Sequence, residues 1–174
     1  WSDEWARVRA QAYHVLARGP LDQVETWVLE GIWDPAPSVR FAAWQGLARM
    51  RAPSGRAHAE QALRSEPVWW VRRAAVLAYA VLAGPDGIRG LRSVLEDPFW
   101  RVRHAGVHCL HALGDAWESL RPEILAPMGN SPEALGALHY LTSAWLPGGA
   151  QHPAIQALPP QATEAHAPVT HCHP

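Results

Sequence analysis

A Val-Arg pair returns along this chain at a nearly fixed beat: Val8-Arg9, Val39-Arg40, Val71-Arg72 and Val102-Arg103, separated by 31, 32 and 31 residues. An acid stands five residues before each Val (Asp3, Asp34, Glu66, Asp97), a small residue four after it (Ala12, Ala43, Ala75, Gly106) and a large one eight after it (Leu16, Leu47, Tyr79, Leu110). A period in the thirties, with positions matched in four copies, specifies a stack of supersecondary units. No such unit buries its apolar face alone, so each depends on its neighbours.

Each unit reads as two antiparallel helices. The second starts after the acid, usually behind a proline (Pro35, Pro67, Pro98) that stops the preceding helix. Its apolar residues then fall at intervals of three and four, as in Val102, Ala105, Gly106, Cys109, Leu110 and Leu113, with Gly114 closing the helix. First helices are expected at about 20–33, 54–65, 86–96 and 115–126. The third is short of large apolar side chains, and the fourth contains Pro122. The recurring acid and Arg suit a ladder in which each Arg bonds the acid of its own or an adjacent unit. That role is structural, because paired carboxylates for acid–base chemistry would not be matched by an Arg in every copy.

The beat fails near residue 133. A fifth unit can be aligned with Glu133 at the Val position, Ala137 and Leu141 following, but its acid, Val and Arg are gone. Ser131 and Pro132 make a good start for a terminal helix running to about Trp145. Six prolines among residues 146–174 then indicate an extended tail or linker with no core of its own. The domain reading is a helical stack over 1–145 and a Pro- and His-containing tail over 146–174.

Composition narrows the function classes. With 48% apolar and 18% charged residues the chain can bury a continuous core. The net charge of −1 sets up no global field for nucleic acid, although residues 1–103 hold 14 Arg against 11 acids and the remainder one Arg against five. No apolar run reaches the roughly 18 residues of a membrane span. The chain opens on Trp1, which fits a removed leader or a segment of something longer, and leaves cytoplasmic and periplasmic settings open. Cys109 and Cys172 are the only thiols, so no disulfide framework is indicated. There is no nucleophile elbow, phosphate loop, zinc-protease helix or Cys with a dedicated base, hence no enzyme reading and no small-molecule substrate.

The element Asp97-Pro98-Phe99-Trp100-Arg101-Val102-Arg103-His104-Ala105-Gly106, continuing to Gly114-Asp115, resembles the bacterial HEAT repeat, including the short type first associated with phycobilisome lyases. The resemblance covers roughly residues 1–145. It implies an all-α fold, a right-handed α-solenoid of about four to five HEAT-like helix pairs with an extended C-terminal tail. It also implies a noncatalytic protein-interaction or scaffold module, or a subunit of a larger assembly, with a protein partner held on the inner surface formed by the second helices and the turns before them. Carried onto this sequence, that surface is Trp69, Trp70, Arg73 and Leu77 in the third unit and Trp100, Arg101, His104 and His108 in the fourth. Phe41, Gln45 and Arg49 extend it into the second. Aromatic and Arg side chains dominate interface energetics, which suits that assignment. Trp69, Trp70 and Trp100 are the candidates for exposed contacts, whereas Trp27, Trp44, Trp117 and Trp145 are expected in the core.

Two other readings come from the histidines and the arginines. Eight of ten His lie at or after residue 104, and His104, His108 and His111 share one helix at spacings that can bring imidazoles to one side. In the tail, Val169-Thr170-His171-Cys172-His173 looks like the latter half of a c-type haem attachment motif, with Val169 where the first Cys belongs. A redox accessory would use that part, with His166, His171, Cys172 and His173 as the ligands of a divalent metal or haem. The leading reading needs no cofactor. A HEAT-like nucleic-acid binder would use Arg72, Arg73, Arg101 and Arg103 beside the tryptophans, and the neutral net charge and the ladder count against it.

Overall fold

The computed structural model describes residues 2–19 and 21–126, together with 132, 133 and 136. Among them every regular element is helical. The second helices of the units are α1 (Ser2–Leu16), α3 (Pro37–Met50), α5 (Trp69–Ala83) and α7 (Trp100–Ala112). The first helices are α2 (Leu21–Glu30), α4 (Gly55–Ser65), a short α6 (Ile88–Leu91) and α8 (Asp115–Leu125). α1 packs on α3, α3 on α5 and α5 on α7, giving one continuous layer, while α2 lies against α3 and α4 against α5. This is the two-layer helical stack that the beat specifies, and residues 132, 133 and 136 are helical where the terminal helix is expected. The tail beyond them lies outside the described residues.

The recurring positions form the floor between units. Val39, Val71 and Val102 are completely buried, as are Ala43, Ala75, Leu47 and Leu110. Tyr79 fills the position held elsewhere by Leu, and its extra bulk reshapes the segment that covers it. The ideal Cβ positions of Gly87 and Gly90 would fall 3.1 Å from Cε1 and 2.7 Å from Cζ of the Tyr79 ring, so only glycine lets the backbone pass that close. The uninterrupted first helix expected over 86–96 is therefore not formed. Instead the 3-10 turns Gly84–Gly87 and Arg92–Glu96 flank the single α-turn of α6, although Ile88, Leu91, Val94 and Leu95 still reach the core. Pro122, in contrast, is accommodated inside α8.

The ladder has a definite direction. Arg9 clasps Asp34 through Nε and Nη2 at 2.7 and 2.9 Å, Arg40 clasps Glu66 at 2.9 and 2.9 Å, and Arg72 clasps Asp97 at 2.6 and 3.0 Å. Each Arg thus takes the acid of the following unit, 25 or 26 residues on. Its remaining nitrogen turns back to its own unit: Arg40 Nη1 donates to the carbonyls of Asp34 and Pro35, Arg72 Nη1 to Glu66, and Arg103 Nη1 to Asp97 and Pro98. The acids complete the turns. Asp34, Glu66 and Asp97 accept from the backbone N–H of Ala36, Val68 and Phe99, the N-cap residues of α3, α5 and α7, whose own side chains cannot cap. Carboxylate charge there also favours the positive end of each helix dipole.

Burial deepens along the ladder. Side-chain exposure falls from 41% and 12% at Arg9–Asp34 to 13% and 7% at Arg40–Glu66 and 9% and 6% at Arg72–Asp97. Removing one partner of the innermost pair leaves a buried charge unsatisfied, so Asp97→Ala is expected to cost about 3 kcal/mol or more in urea unfolding, with Arg9→Ala costing distinctly less. The hydrogen bonds from Arg9 hold the Asp34 carboxyl below its ordinary 3.8. A depressed folded pKa adds stability that is fully present above that ordinary value and disappears as pH falls through the folded one. Asp34→Asn is therefore expected to flatten the loss of thermal midpoint between about pH 5 and pH 3. At the far end of α3, Arg51 holds φ +54° and ψ +41°, the left-handed helical conformation that glycine adopts most readily. Arg51→Gly is expected to raise unfolding stability by about 0.5 kcal/mol.

Candidate partner-binding surface

The face of α3, α5 and α7 turned away from the first helices is set by register. Two residues after each Val stand Phe41, Arg73 and His104, and six after stand Gln45, Leu77 and His108. Leu77 is 39% exposed, Gln45, Arg73, Arg101 and His108 are exposed, and Phe41 and His104 are half-buried. Trp100 is open to solvent at 58%, but Trp69 and Trp70 are half-buried and lean on the core. All eleven residues assigned to this surface by sequence lie on α3, α5 and α7. Trp27, expected in the core, is 55% exposed: Val24 and Val28 form the buried stripe of α2, and Trp27 stands roughly 100° round the helix from Val28. Trp44 and Trp117 are buried as expected, and Trp145 lies outside the described residues.

Two aromatic assemblies rise from the surface. Phe41 and Trp70 meet edge-on at 5.5 Å across the α3–α5 seam. Trp69 stacks on Phe99 at 6.0 Å, and the Arg101 guanidinium sits 5.2 Å from the Trp69 ring and 5.3 Å from that of Trp100. That arrangement holds a charged head between two indoles at the rim of the turns, where cation–π attraction orients it without a carboxylate. Phe99 was not among the sequence candidates. Its exposure of 45% follows from its place in the turn, and nothing in the repeat pattern distinguishes it.

Between α1, α3 and α5 the surface sinks into a cleft of about 390 Å³. Phe41, Ala48, Ala74 and Leu77 supply its apolar wall, and His14, Arg49 and Arg73 its polar groups. The charge around it is one-sided. No Asp or Glu occurs anywhere in α3, α5 or α7. Among the described residues Arg49, Arg73 and Arg101 make no ion pair with a carboxylate. The turn acids are neutralised by the ladder, so the net field of the inner layer is positive although the chain as a whole is near neutral.

Among the described residues, the histidines of α7 do not gather into a three-ligand site. The rings of His104 and His108 meet at a 56° tilt with centres 4.4 Å apart, while His111 turns toward the core, and among the described residues no three His, Cys, Asp or Glu are grouped to hold an ion. Burial first, then the neighbouring His108 and Arg73, push His104 below its ordinary 6.5, so it stays neutral around neutrality. The tail candidates His166, His171, Cys172 and His173 lie outside the described residues. Of the four arginines a nucleic-acid reading needs, Arg72 is locked to Asp97 and Arg103 holds the carbonyls of its own turn, which leaves Arg73 and Arg101. Among the described residues no helix is long and apolar enough to cross a membrane.

Repeated helix pairs, a Val floor and an acid–Arg ladder between successive turns define an α-helical repeat protein. A family model for HEAT repeats matches residues 2–80 and 58–133, and the chain belongs to that family. No curated protein and no solved structure matches it.

Cys109 is 7% exposed in α7, and burial pushes its thiol up to about 11, so the thiol stays protonated at neutral pH and packs in the core. Treatment with iodoacetamide at about pH 8 is expected to leave Cys109 unmodified in the folded chain and to alkylate it in urea. Peptide mass spectrometry separates it from Cys172; rapid labelling of Cys109 without denaturant contradicts the assignment.

Proposed function

We propose that this chain is a noncatalytic scaffold that holds a segment of a protein partner along its inner layer, and that the segment is acidic with an apolar anchor. HEAT repeats generally mediate protein–protein interactions, which supports the class. The observation that carries the finer reading is the inner layer's composition: aromatic rings and arginines on α3, α5 and α7, with no carboxylate in any of the three helices. A leucine- or phenylalanine-sized side chain fills the cleft beside Phe41 and Leu77, and Asp or Glu on either side of it meets Arg49 and Arg73 as bidentate charge-assisted partners. Trp69, Trp70, Trp100 and Arg101 extend the contact along the turns, where large aromatic surface and a preoriented guanidinium give binding energy at small entropic cost. The short Asp-Pro repeat supports a place beside the phycobilisome-lyase-like bacterial HEAT proteins, as a subunit of a larger assembly.

Two sets of substitutions test this. Trp70→Ala with Trp100→Ala, and separately Arg73→Glu with Arg101→Glu, are expected to leave helical circular dichroism intact and to weaken retention of a native-host protein partner by about tenfold or more. The charge-reversed pair also loses the salt dependence of binding. Unchanged retention by both variants overturns the reading. Salt-sensitive gel shifts with single-stranded nucleic acid, abolished by the same reversal, would transfer the surface to the nucleic-acid class.

A further inference from the structure

The α1 end of the stack exposes the positions that every later unit buries. Val8 is 56% exposed, whereas Val39, Val71 and Val102, at the same register, are 0%. Ala12 is exposed where Ala43, Ala75 and Gly106 are buried. Val15 is 58% exposed where Gly46, Ala78 and Cys109 are buried. Trp5, one helical turn ahead of Val8, adds a 65% exposed indole. An outermost repeat ordinarily carries polar residues on its outer face, because that face meets water. α1 instead presents the sequence of an interior helix, with its Val, small-residue and apolar positions all retained.

We propose that this end face is an interface for one further helix pair of the same repeat, stacked ahead of α1 in the register that α3 keeps to α5 and carrying an arginine for Asp3. Two observations fix that occupant over an arbitrary apolar surface. The first is continuity with an existing interface: the uncovered positions of α1 are those covered in α3, α5 and α7 by the preceding helices. The second is charge. Asp34, Glu66 and Asp97 each take a bidentate arginine from 25 or 26 residues earlier, and Asp3 stands at the same register five residues before its Val. In that sequence register the occupant supplies the arginine for Asp3, so the partner is an apolar helix face with one guanidinium at its edge. A face-to-face second copy would supply the apolar surface but no arginine at that register.

The chain's own second unit is the probe. Joining a copy of residues 34–63 directly ahead of Trp1 places the copied Arg40 26 residues before Asp3, the separation seen from Arg40 to Glu66. The fused chain is expected to unfold in one transition, with a midpoint about 4 °C or more above that of the full chain alone. Val8→Asp is expected to leave the midpoint of the unfused chain unchanged and to cancel most of the gain in the fused one, and changing the copied Arg40 to Ala is expected to remove part of it. Hydrogen exchange at the amides of α1 should slow in the fused chain even if the midpoints overlap. Two separate transitions, a gain indifferent to Val8→Asp, or unaltered exchange in α1 would overturn the proposal. So would sedimentation of the unfused chain as a dimer that Val8→Asp dissolves, because the face would then belong to a second copy.

Discussion

One guanidinium per unit ties two successive turns together in this fold, and the rest of the stack is arranged around it. Arg40 binds the carboxylate of the next turn with one edge and the carbonyls of its own turn with the other, and Arg72 repeats the pattern. Each acid in turn supplies the acceptor that its helix N-terminus lacks. Repeat stacks held only by nearest-neighbour apolar contact tend to come apart unit by unit. Here the polar groups of consecutive turns form an unbroken chain from Arg9 to Arg103, so a turn loosened in one unit strips hydrogen bonds from the two beside it. Burying charge in this way is tolerable because every guanidinium and carboxylate in the interior has several partners.

The same arrangement explains how a nearly neutral protein presents a positive surface. Beyond α1, which carries Asp3 and Glu4, acids sit in the turns, where arginines consume them, or on the first helices, as Glu25, Glu60, Glu118 and Glu123 do. The second helices contribute arginines in excess of the ladder's needs, and these face the inner side. Net charge summed over the sequence hides this segregation, since it adds layers that point in opposite directions.

Much of the architecture was legible because the Val, small and large positions recur and their burial is dictated by period alone. The partition between scaffold and surface was equally readable: Arg73, Leu77, Arg101 and His108 depart from the pattern and are exposed. What escaped was set by contacts between units. Whether an Arg takes the acid of its own or of the next turn depends on the distance between layers, which no spacing in the sequence encodes. The broken helix under Tyr79 depends on a ring pressing on Gly87 and Gly90 from another helix. Trp27 is misleading for a different reason, since a tryptophan one residue before a buried valine has the composition of a core and the direction of a surface.

Glu66 bears on how such stacks can change length. It is the one glutamate among aspartates, and it sits in the one interval of 32 residues, where Arg40 must reach an acid 26 positions away instead of 25. Both of its oxygens nonetheless lie 2.9 Å from the guanidinium. A methylene in the side chain thus accompanies a residue in the backbone, like a shim cut to match a wider gap. Insertions of a single residue between units are then survivable if the acid lengthens with them, which gives this lineage of repeats a route to vary its pitch without surrendering the clasp.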